Sequence, residues 1–245
     1  MGNVSASERL IVALDLPSSD EARALVARLG DAATFYKIGL ELVMAGGLGL
    51  ARELSGAGKR VFLDMKLLDI ENTVERATRN AATCGATFLT VHAQDAKTLR
   101  AALAGSAGTS LRILGVTVLT NLDAADLRQQ GVETTPADVV ARRAALAREV
   151  GCHGVVASGL EAARVREVVG PTLAIVTPGI RLPGGAAGDQ TRIAGPGEAI
   201  ADGADYLVVG RPITAADDPA HVAEVFVRHI EDGLAQRAKA QVDVR

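Results

Sequence analysis

Short apolar runs rich in β-branched residues recur along the chain, and each of them ends in polar residues. There are eight such runs, at residues 10–14, 34–38, 61–63, 87–91, 112–117, 154–157, 173–176 and 206–209. They are nearly continuous rather than alternating, which is typical of parallel strands that are covered on both faces. The pattern therefore predicts eight parallel strands.

The segments between these runs have helical spacing and helix-capping signals. Ser18-Ser19-Asp20-Glu21 is a capping signature, and Thr135-Pro136 opens a segment that ends at Gly151. Strand and helix alternate without a linker, which favours a single (β/α)8 TIM barrel domain over residues 1–245. The alternative is a doubly wound open sheet, which more often carries a Gly-rich nucleotide fingerprint after its first strand. Here Asp15-Leu16-Pro17 follows the first run, without that fingerprint.

Composition narrows the class of protein. The net charge of -3 and the pI near 5.8 give no reason to expect a nucleic-acid or anionic membrane partner. The N-terminus has no apolar segment typical of a secretion signal, and no apolar run approaches a membrane span. We therefore expect a soluble cytoplasmic protein, in which Cys84 and Cys152 are buried free thiols rather than a disulfide.

Polar residues are concentrated at the predicted C-terminal ends of the strands, where TIM barrels carry their active sites. They are Asp15, Lys37, Asp64 with Lys66, His92, Thr117 with Thr120, Ser158, Arg181, and Gly210 with Arg211. Any single one of these residues could simply be exposed to solvent at the end of its strand, without a function. Because eight loops converge on one mouth, the whole ring indicates a site for a small charged substrate.

The densest charge lies in Asp64-Met65-Lys66-Leu67-Leu68-Asp69, directly after the third apolar run. Residues two apart on a strand share a face, so Asp64 and Lys66 are expected to point the same way. Asp69 lies past the strand end, where it can return to the site or reach a neighbouring molecule. An isolated Asp-x-Lys could be a surface salt bridge, but the ring of polar strand ends favours a site.

The last two loops indicate a phosphorylated substrate. Gly210-Arg211 ends the eighth strand, and loops seven and eight are where barrels of this kind commonly bind phosphate. The seventh loop, at about residues 179–197, is long and contains four further glycines, at positions 184, 185, 188 and 195. This composition suits a lid that closes over a ligand, although a disordered surface loop is the simpler alternative.

Taken together, these motifs resemble the orotidine 5'-monophosphate decarboxylase family, over nearly the whole chain from Val12 to Arg211. The resemblance is carried by Val12-Ala13-Leu14-Asp15, Lys37-Ile38-Gly39, Phe62-Leu63-Asp64-Met65-Lys66, Asp69-Ile70-Glu71-Asn72-Thr73, Val91-His92-Ala93, Thr117-Val118-Leu119-Thr120, Thr177-Pro178-Gly179-Ile180-Arg181, Asp189-Gln190-Thr191-Arg192 and Val209-Gly210-Arg211. The chain departs from the family pattern at Leu68 and Glu71, where His and Pro are usual. We expect this to change loop packing rather than chemistry.

The resemblance implies decarboxylation of orotidine 5'-monophosphate to UMP and CO2 in pyrimidine biosynthesis, without a metal or other cofactor. It makes Lys66 the proton donor, with Asp64 beside it and Lys37 holding the carboxylates in register. Asp69 would come from the second subunit of a homodimer, so that each site is shared. The substrate-binding residues that the resemblance implies are Asp15, Lys37, Asp64, Thr73, Thr120, Arg181, Gln190, Gly210 and Arg211.

Two other functions remain open at this point. One is a metal-dependent sugar-phosphate decarboxylase, aldolase or epimerase on the same barrel, although only His92 lies at the predicted mouth. His153, His221 and His229 belong to helices or helix ends by their pattern. The other is a phosphometabolite-binding protein without catalysis, which would not need the costly Asp64, Lys66 and Asp69 set. A turnover assay separates all three.

Overall fold

Eight parallel strands close into a barrel in which each strand pairs with its neighbours in sequence and the first pairs with the last. The computed structural model describes residues 4–182 and 194–243. The strands are β1 (Leu10–Ala13), β2 (Phe35–Gly39), β3 (Arg60–Leu67), β4 (Phe88–His92), β5 (Arg112–Val116), β6 (Gly154–Val156), β7 (Ala174–Thr177) and β8 (Tyr206–Val209). The predicted (β/α)8 barrel is confirmed.

Helices follow the strands and surround the barrel. Within the described residues they are α1 (Ser19–Leu29), α2 (Leu40–Met44), α3 (Gly47–Gly56), α4 (Glu71–Thr83), α5 (Ala96–Ser106), α6 (Ala124–Gln129), α7 (Pro136–Val150), α8 (Ala162–Val169), α9 (Pro196–Ala201), α10 (Arg211–Thr214) and α11 (Pro219–Asp243). The Ser18 side chain caps α1 by accepting from the Glu21 amide, and Thr135 caps α7. Both predicted helix starts are confirmed. None of these helices, over the residues described, is long and apolar enough to cross a membrane.

The strands bury apolar side chains on both of their faces. Along β1, Ile11 and Ala13 point into the barrel, whereas Leu10 and Val12 pack against the helices. Side chains alternate between the two faces of a strand, so a strand that is covered on both sides needs apolar residues at successive positions. This explains why the apolar runs of the sequence do not alternate.

Aromatic side chains fill the N-terminal end of the barrel. The ring of Phe88 lies 5.3 Å from both Phe35 and Tyr206, measured between ring centroids. The guanidinium of Arg60, the first residue of β3, lies 4.2 Å from the centre of the Phe35 ring, where the negative face of the ring attracts a cation. This end is therefore packed, and a ligand cavity has to lie at the C-terminal end.

Strand β3 extends past its apolar run, in agreement with the expectation that Asp64 and Lys66 lie on one strand. Its apolar run ends at Leu63, but the strand continues to Leu67 and so includes Asp64 and Lys66. The pairing register with β4 shifts between Leu63 and Leu67. The charged residues thus lie on the strand itself, at an irregularity in the ladder.

Both cysteines are buried and free, as predicted. Burial raises the pKa of Cys152 to about 12. Its thiol is therefore almost entirely protonated at neutral pH, which removes the thiolate that redox and nucleophilic chemistry require.

Candidate active site

A cavity of about 560 Å³ opens at the C-terminal end of the barrel. Its volume lies in the range of sites that bind small molecules. Apolar side chains from several strands line its inner part, among them Phe62, Val116, Val156 and Val208. The structure also brings these predicted residues together around it: Asp15, Lys37, Asp64, Lys66, Thr120, Arg181, Gly210 and Arg211.

Four charged side chains from three strand ends, which we call the charged chain, form a row along the cavity wall. Lys37 Nζ lies 2.7 Å from Asp15 Oδ1 and 3.7 Å from Asp64 Oδ2. Lys66 Nζ lies 2.8 Å from the same Asp64 oxygen. Positive and negative groups therefore alternate from Asp15 to Lys66. Such pairing offsets the cost of placing charges where water is partly excluded.

Asp64 is ionised in this setting. Burial alone would raise its pKa, but the ammonium groups of Lys37 and Lys66 and hydrogen bonds from Lys66 and Thr90 outweigh burial and hold the pKa below its ordinary value. Its side chain is only 15% exposed. The cavity thus contains a fixed negative charge next to a lysine ammonium.

Gly39 leaves the space that the Lys37 ion pair occupies. A Cβ atom at this position would lie 2.8 Å from Lys37 Nζ and 2.9 Å from Asp15 Oδ1. Both distances are shorter than real Cβ contacts, so a side chain here would displace the ion pair. Gly39 belongs to the motif that carried the resemblance, but its sequence position alone gave it no role.

Lys66 has an unusual backbone conformation. Its φ is 49°, and it is the one non-glycine residue with positive φ in the described part of the chain. This left-handed conformation costs a residue with a side chain about 1–3 kcal/mol and occurs most often at functional sites. The strain coincides with the register shift between β3 and β4, so the fold around the site maintains it.

Asp69 and Thr73 lie outside the cavity of their own chain. Both are exposed, and Asp69 lines a second, shallower cavity of about 280 Å³ with Leu68, Ile70, Glu71, Asp95, Lys97 and Thr98. Leu68 is 50% and Ile70 is 71% exposed, so two apolar side chains flank Asp69 on the surface. Glu71 is the first residue of α4, where an acidic side chain suits the helix dipole.

Arg181 and Arg211, which follow β7 and β8, also line the cavity, with Gly210 between β8 and α10. The Arg181 amide donates to the carbonyl of Ala194, which joins the two described ends of the seventh loop. Gln190 and most of the loop that we interpret as a lid lie outside the described residues, so their predicted roles remain predictions.

His92 ends β4 near the charged chain and is half-buried. Burial, followed by the nearby cations of Arg143 and Lys66, lowers its pKa, so its imidazole is neutral at pH 7. Its Nδ1 has no hydrogen-bond partner among the described residues. The described residues also contain no cluster of three or more His, Cys, Asp or Glu side chains arranged to hold a metal.

The match to known proteins covers most of the chain. A family model described as the orotidine 5'-phosphate decarboxylase / HUMPS family matches residues 8–226. The chain belongs to this family. The resemblance that the motifs indicated is thereby confirmed.

Individual members of the family are similar to this chain over nearly their full length. The orotidine 5'-phosphate decarboxylase of Bradyrhizobium sp. (strain BTAi1) is 55% identical over 232 residues, covering 95% of each chain. That of Methylorubrum extorquens (strain PA1) is 56% identical, covering 92% of this chain and 96% of its own. The crystal structure of orotidine 5'-phosphate decarboxylase from Lactobacillus acidophilus has a TM-score of 0.80 at 34% identity and covers 90% of this chain and 98% of its own.

Proposed function

We propose that this protein decarboxylates orotidine 5'-monophosphate to UMP and CO2 and thereby serves pyrimidine biosynthesis. The observation that carries the proposal is the Asp64 carboxylate 2.8 Å from the Lys66 ammonium, on the wall of a nucleotide-sized cavity. Membership of the decarboxylase family and relatives of that name at 55% and 56% identity support it.

Lys66 supplies the proton. When the bond between pyrimidine C6 and the carboxylate breaks, its electron pair stays on C6 in an orbital that the ring π-system cannot stabilise. The Lys66 ammonium stabilises this developing charge and donates a proton from Nζ to C6. Solvent returns a proton to the amine after the products leave. A fixed ammonium suits this task because it is already oriented when the charge develops.

Asp64 and Lys37 hold that ammonium in place. Asp64 Oδ2 accepts from Lys66 Nζ, and Lys37 approaches the same oxygen from the other side at 3.7 Å. Lys37 is the most buried of the four charged side chains, with 9% of its side chain exposed, so its position is well defined. It also reaches the ribose, while Asp15, which is 49% exposed, binds a ribose hydroxyl.

The remaining side chains of the cavity bind the two ends of the nucleotide. Thr120 contacts the edge of the pyrimidine. The Gly210 amide and the Arg211 guanidinium bind the 5'-phosphate together with Gln190, and Arg181 organises the seventh loop. Binding the distant phosphate provides free energy that closes the loop and offsets the desolvation of the charged chain.

Each active site is completed by a second copy of the chain in a homodimer. Asp69 and Thr73 are exposed and lie outside the cavity of their own chain, and Leu68 and Ile70 beside them present apolar surface. An interface at this loop buries that surface. It places Asp69 next to the Lys66 ammonium of the partner and Thr73 against the ligand.

The test is turnover of orotidine 5'-monophosphate by the purified protein, followed by absorbance before and after exhaustive treatment with EDTA. We expect UMP to form at the same rate in both samples, because fixed charge stabilises the carbanion. Activity that is lost with EDTA and returns with Mg²⁺ would favour the metal-dependent rival. Folded protein that binds UMP without turnover would be a binding protein instead.

A further inference from the structure

Thr90, in the middle of β4, makes two hydrogen bonds to the charged chain. Its Oγ1 accepts from the backbone amide of Lys66 at 2.9 Å and donates to Asp64 Oδ1 at 2.9 Å. The residue is fully buried. A hydroxyl carries one hydrogen and two lone pairs, so it can serve an amide and a carboxylate at the same time.

The two bonds hold the two parts of the site that have to be oriented. One restrains the backbone of Lys66, which has the left-handed conformation at the register shift of β3. The other occupies Asp64 Oδ1, which leaves Oδ2 for the ammonium groups of Lys66 and Lys37. Without the hydroxyl, the partly buried Lys66 amide and the Asp64 carboxylate oxygen would each lose a partner.

We propose that Thr90 is a positioning residue for the decarboxylation, whose hydroxyl fixes the backbone of Lys66 and the rotation of the Asp64 carboxylate so that the ammonium points at the substrate. The inference rests on the proposed function of the site. Thr90 is not among the described residues that line the cavity, so it acts through Lys66 and Asp64 rather than by touching the ligand.

The rival explanation is that Thr90 only packs the barrel. Packing depends on the shape of the side chain, whereas positioning depends on its hydroxyl. Two comparisons separate these explanations: wild type with Thr90→Val, and Thr90→Ser with Thr90→Ala. Thr90→Val keeps the shape and removes the hydroxyl. Thr90→Ser and Thr90→Ala both lose the methyl group, and only the Ser variant keeps the hydroxyl. Comparing these two variants therefore still measures the effect of the hydroxyl if Thr90→Val does not fold.

Thr78 provides a matched control. It is a fully buried threonine on α4, away from the cavity, and its Oγ1 has no hydrogen-bond partner among the described residues. Thr78→Val therefore removes a buried hydroxyl of the same kind without removing these two bonds. We expect it to retain wild-type turnover.

The experiment measures kcat, KM, the dissociation constant of UMP and the melting temperature for the full-length variants. We expect Thr90→Val to lower kcat by about 10- to 100-fold, since small displacements of catalytic groups have effects of this size. UMP binding should stay within about threefold, because the substrate contacts remain. Thr90→Ser should restore most of the kcat that Thr90→Ala loses.

A crystal structure of Thr90→Val decides the geometric half independently of activity. We expect Lys66 to leave the left-handed conformation, or its Nζ to move away from Asp64 Oδ2. An unchanged kcat, an unchanged geometry, or a Ser variant as slow as the Ala variant would each overturn the inference. Wild-type protein that does not turn over orotidine 5'-monophosphate would instead refute the proposed function.

Discussion

Gly39 allows a direct test of how precisely the charged chain has to be positioned. In Gly39→Ala the new methyl carbon would start 2.8 Å from Lys37 Nζ and 2.9 Å from Asp15 Oδ1. An ordinary contact between such atoms is about 3.5 Å, so the ammonium has to move by roughly 0.7 Å. The backbone of residue 39 has φ -98° and ψ -175°, which alanine adopts without strain.

We therefore expect a loss of activity without a large loss of stability. A displacement of about 1 Å can cost on the order of 100-fold in rate, so kcat/KM should fall by about 10- to 100-fold. The free energy of unfolding should change by less than about 1 kcal/mol, because the groups that move are the ends of flexible side chains. Steady-state kinetics and urea denaturation at one protein concentration measure the two quantities.

Gly49→Ala is the matched control, because a Cβ at this position in α3 has no atom within 4 Å. It should keep wild-type kcat/KM and gain up to about 1 kcal/mol of stability from the better helix propensity of alanine. Wild-type activity in Gly39→Ala would show that catalysis does not depend on the exact positions of the Lys37 and Asp15 side chains. A loss of activity that is matched by global destabilisation would refute the argument as well.

Three further predictions concern the phosphate contact, the shared active site and the pH dependence of stability. Arg211→Ala should lower kcat/KM for the phosphorylated substrate by a factor that corresponds to about 2–4 kcal/mol, and much less for the nucleoside that lacks phosphate. An equal loss on both substrates would show that Arg211 does not contact the phosphate. Lys66→Ala and Asp69→Ala proteins, each inactive alone, should recover about a quarter of wild-type activity when they are refolded together so that subunits exchange. Half of the dimers are then mixed, and each mixed dimer contains one intact site. Verified mixed dimers without activity would refute the shared site. Burial, and to a smaller extent the charge of Arg112, lowers the pKa of His153 in the folded state. Below about pH 6.5 the unfolded chain therefore binds more protons than the folded protein, and the free energy of unfolding should decrease as the pH falls. His153→Gln should weaken this pH dependence, and an unchanged dependence would contradict the assignment.

The sequence was sufficient to predict the barrel and most of its mouth. Continuous apolar runs have few explanations other than parallel strands covered on both faces, and Ser18 and Thr135 marked helix starts through a local hydrogen-bonding pattern. Strand ends of a barrel converge, so the polar residues that follow the runs were expected to meet. Asp15, Lys37, Asp64 and Lys66 do so in the structure.

Other features could not be predicted, for identifiable physical reasons. The register shift between β3 and β4 and the left-handed conformation of Lys66 have no signature in the sequence pattern, because they depend on how neighbouring strands pair. Thr90 is β-branched and therefore fits a strand without any functional role. Its position two residues before His92, in an otherwise apolar strand, was the only signal of its hydroxyl's function. The role of Gly39 depends on the space around it, which only the three-dimensional structure reveals.

Lys66→Ala decides whether the Lys66 ammonium donates the proton to C6. We expect decarboxylation of orotidine 5'-monophosphate to be abolished. The dissociation constant of UMP should stay within about tenfold, or about 1.4 kcal/mol, because this lysine acts mainly on the transition state. Both quantities can be measured on one preparation, by absorbance and by calorimetric titration with UMP. Turnover that survives in Lys66→Ala would show that another group donates the proton.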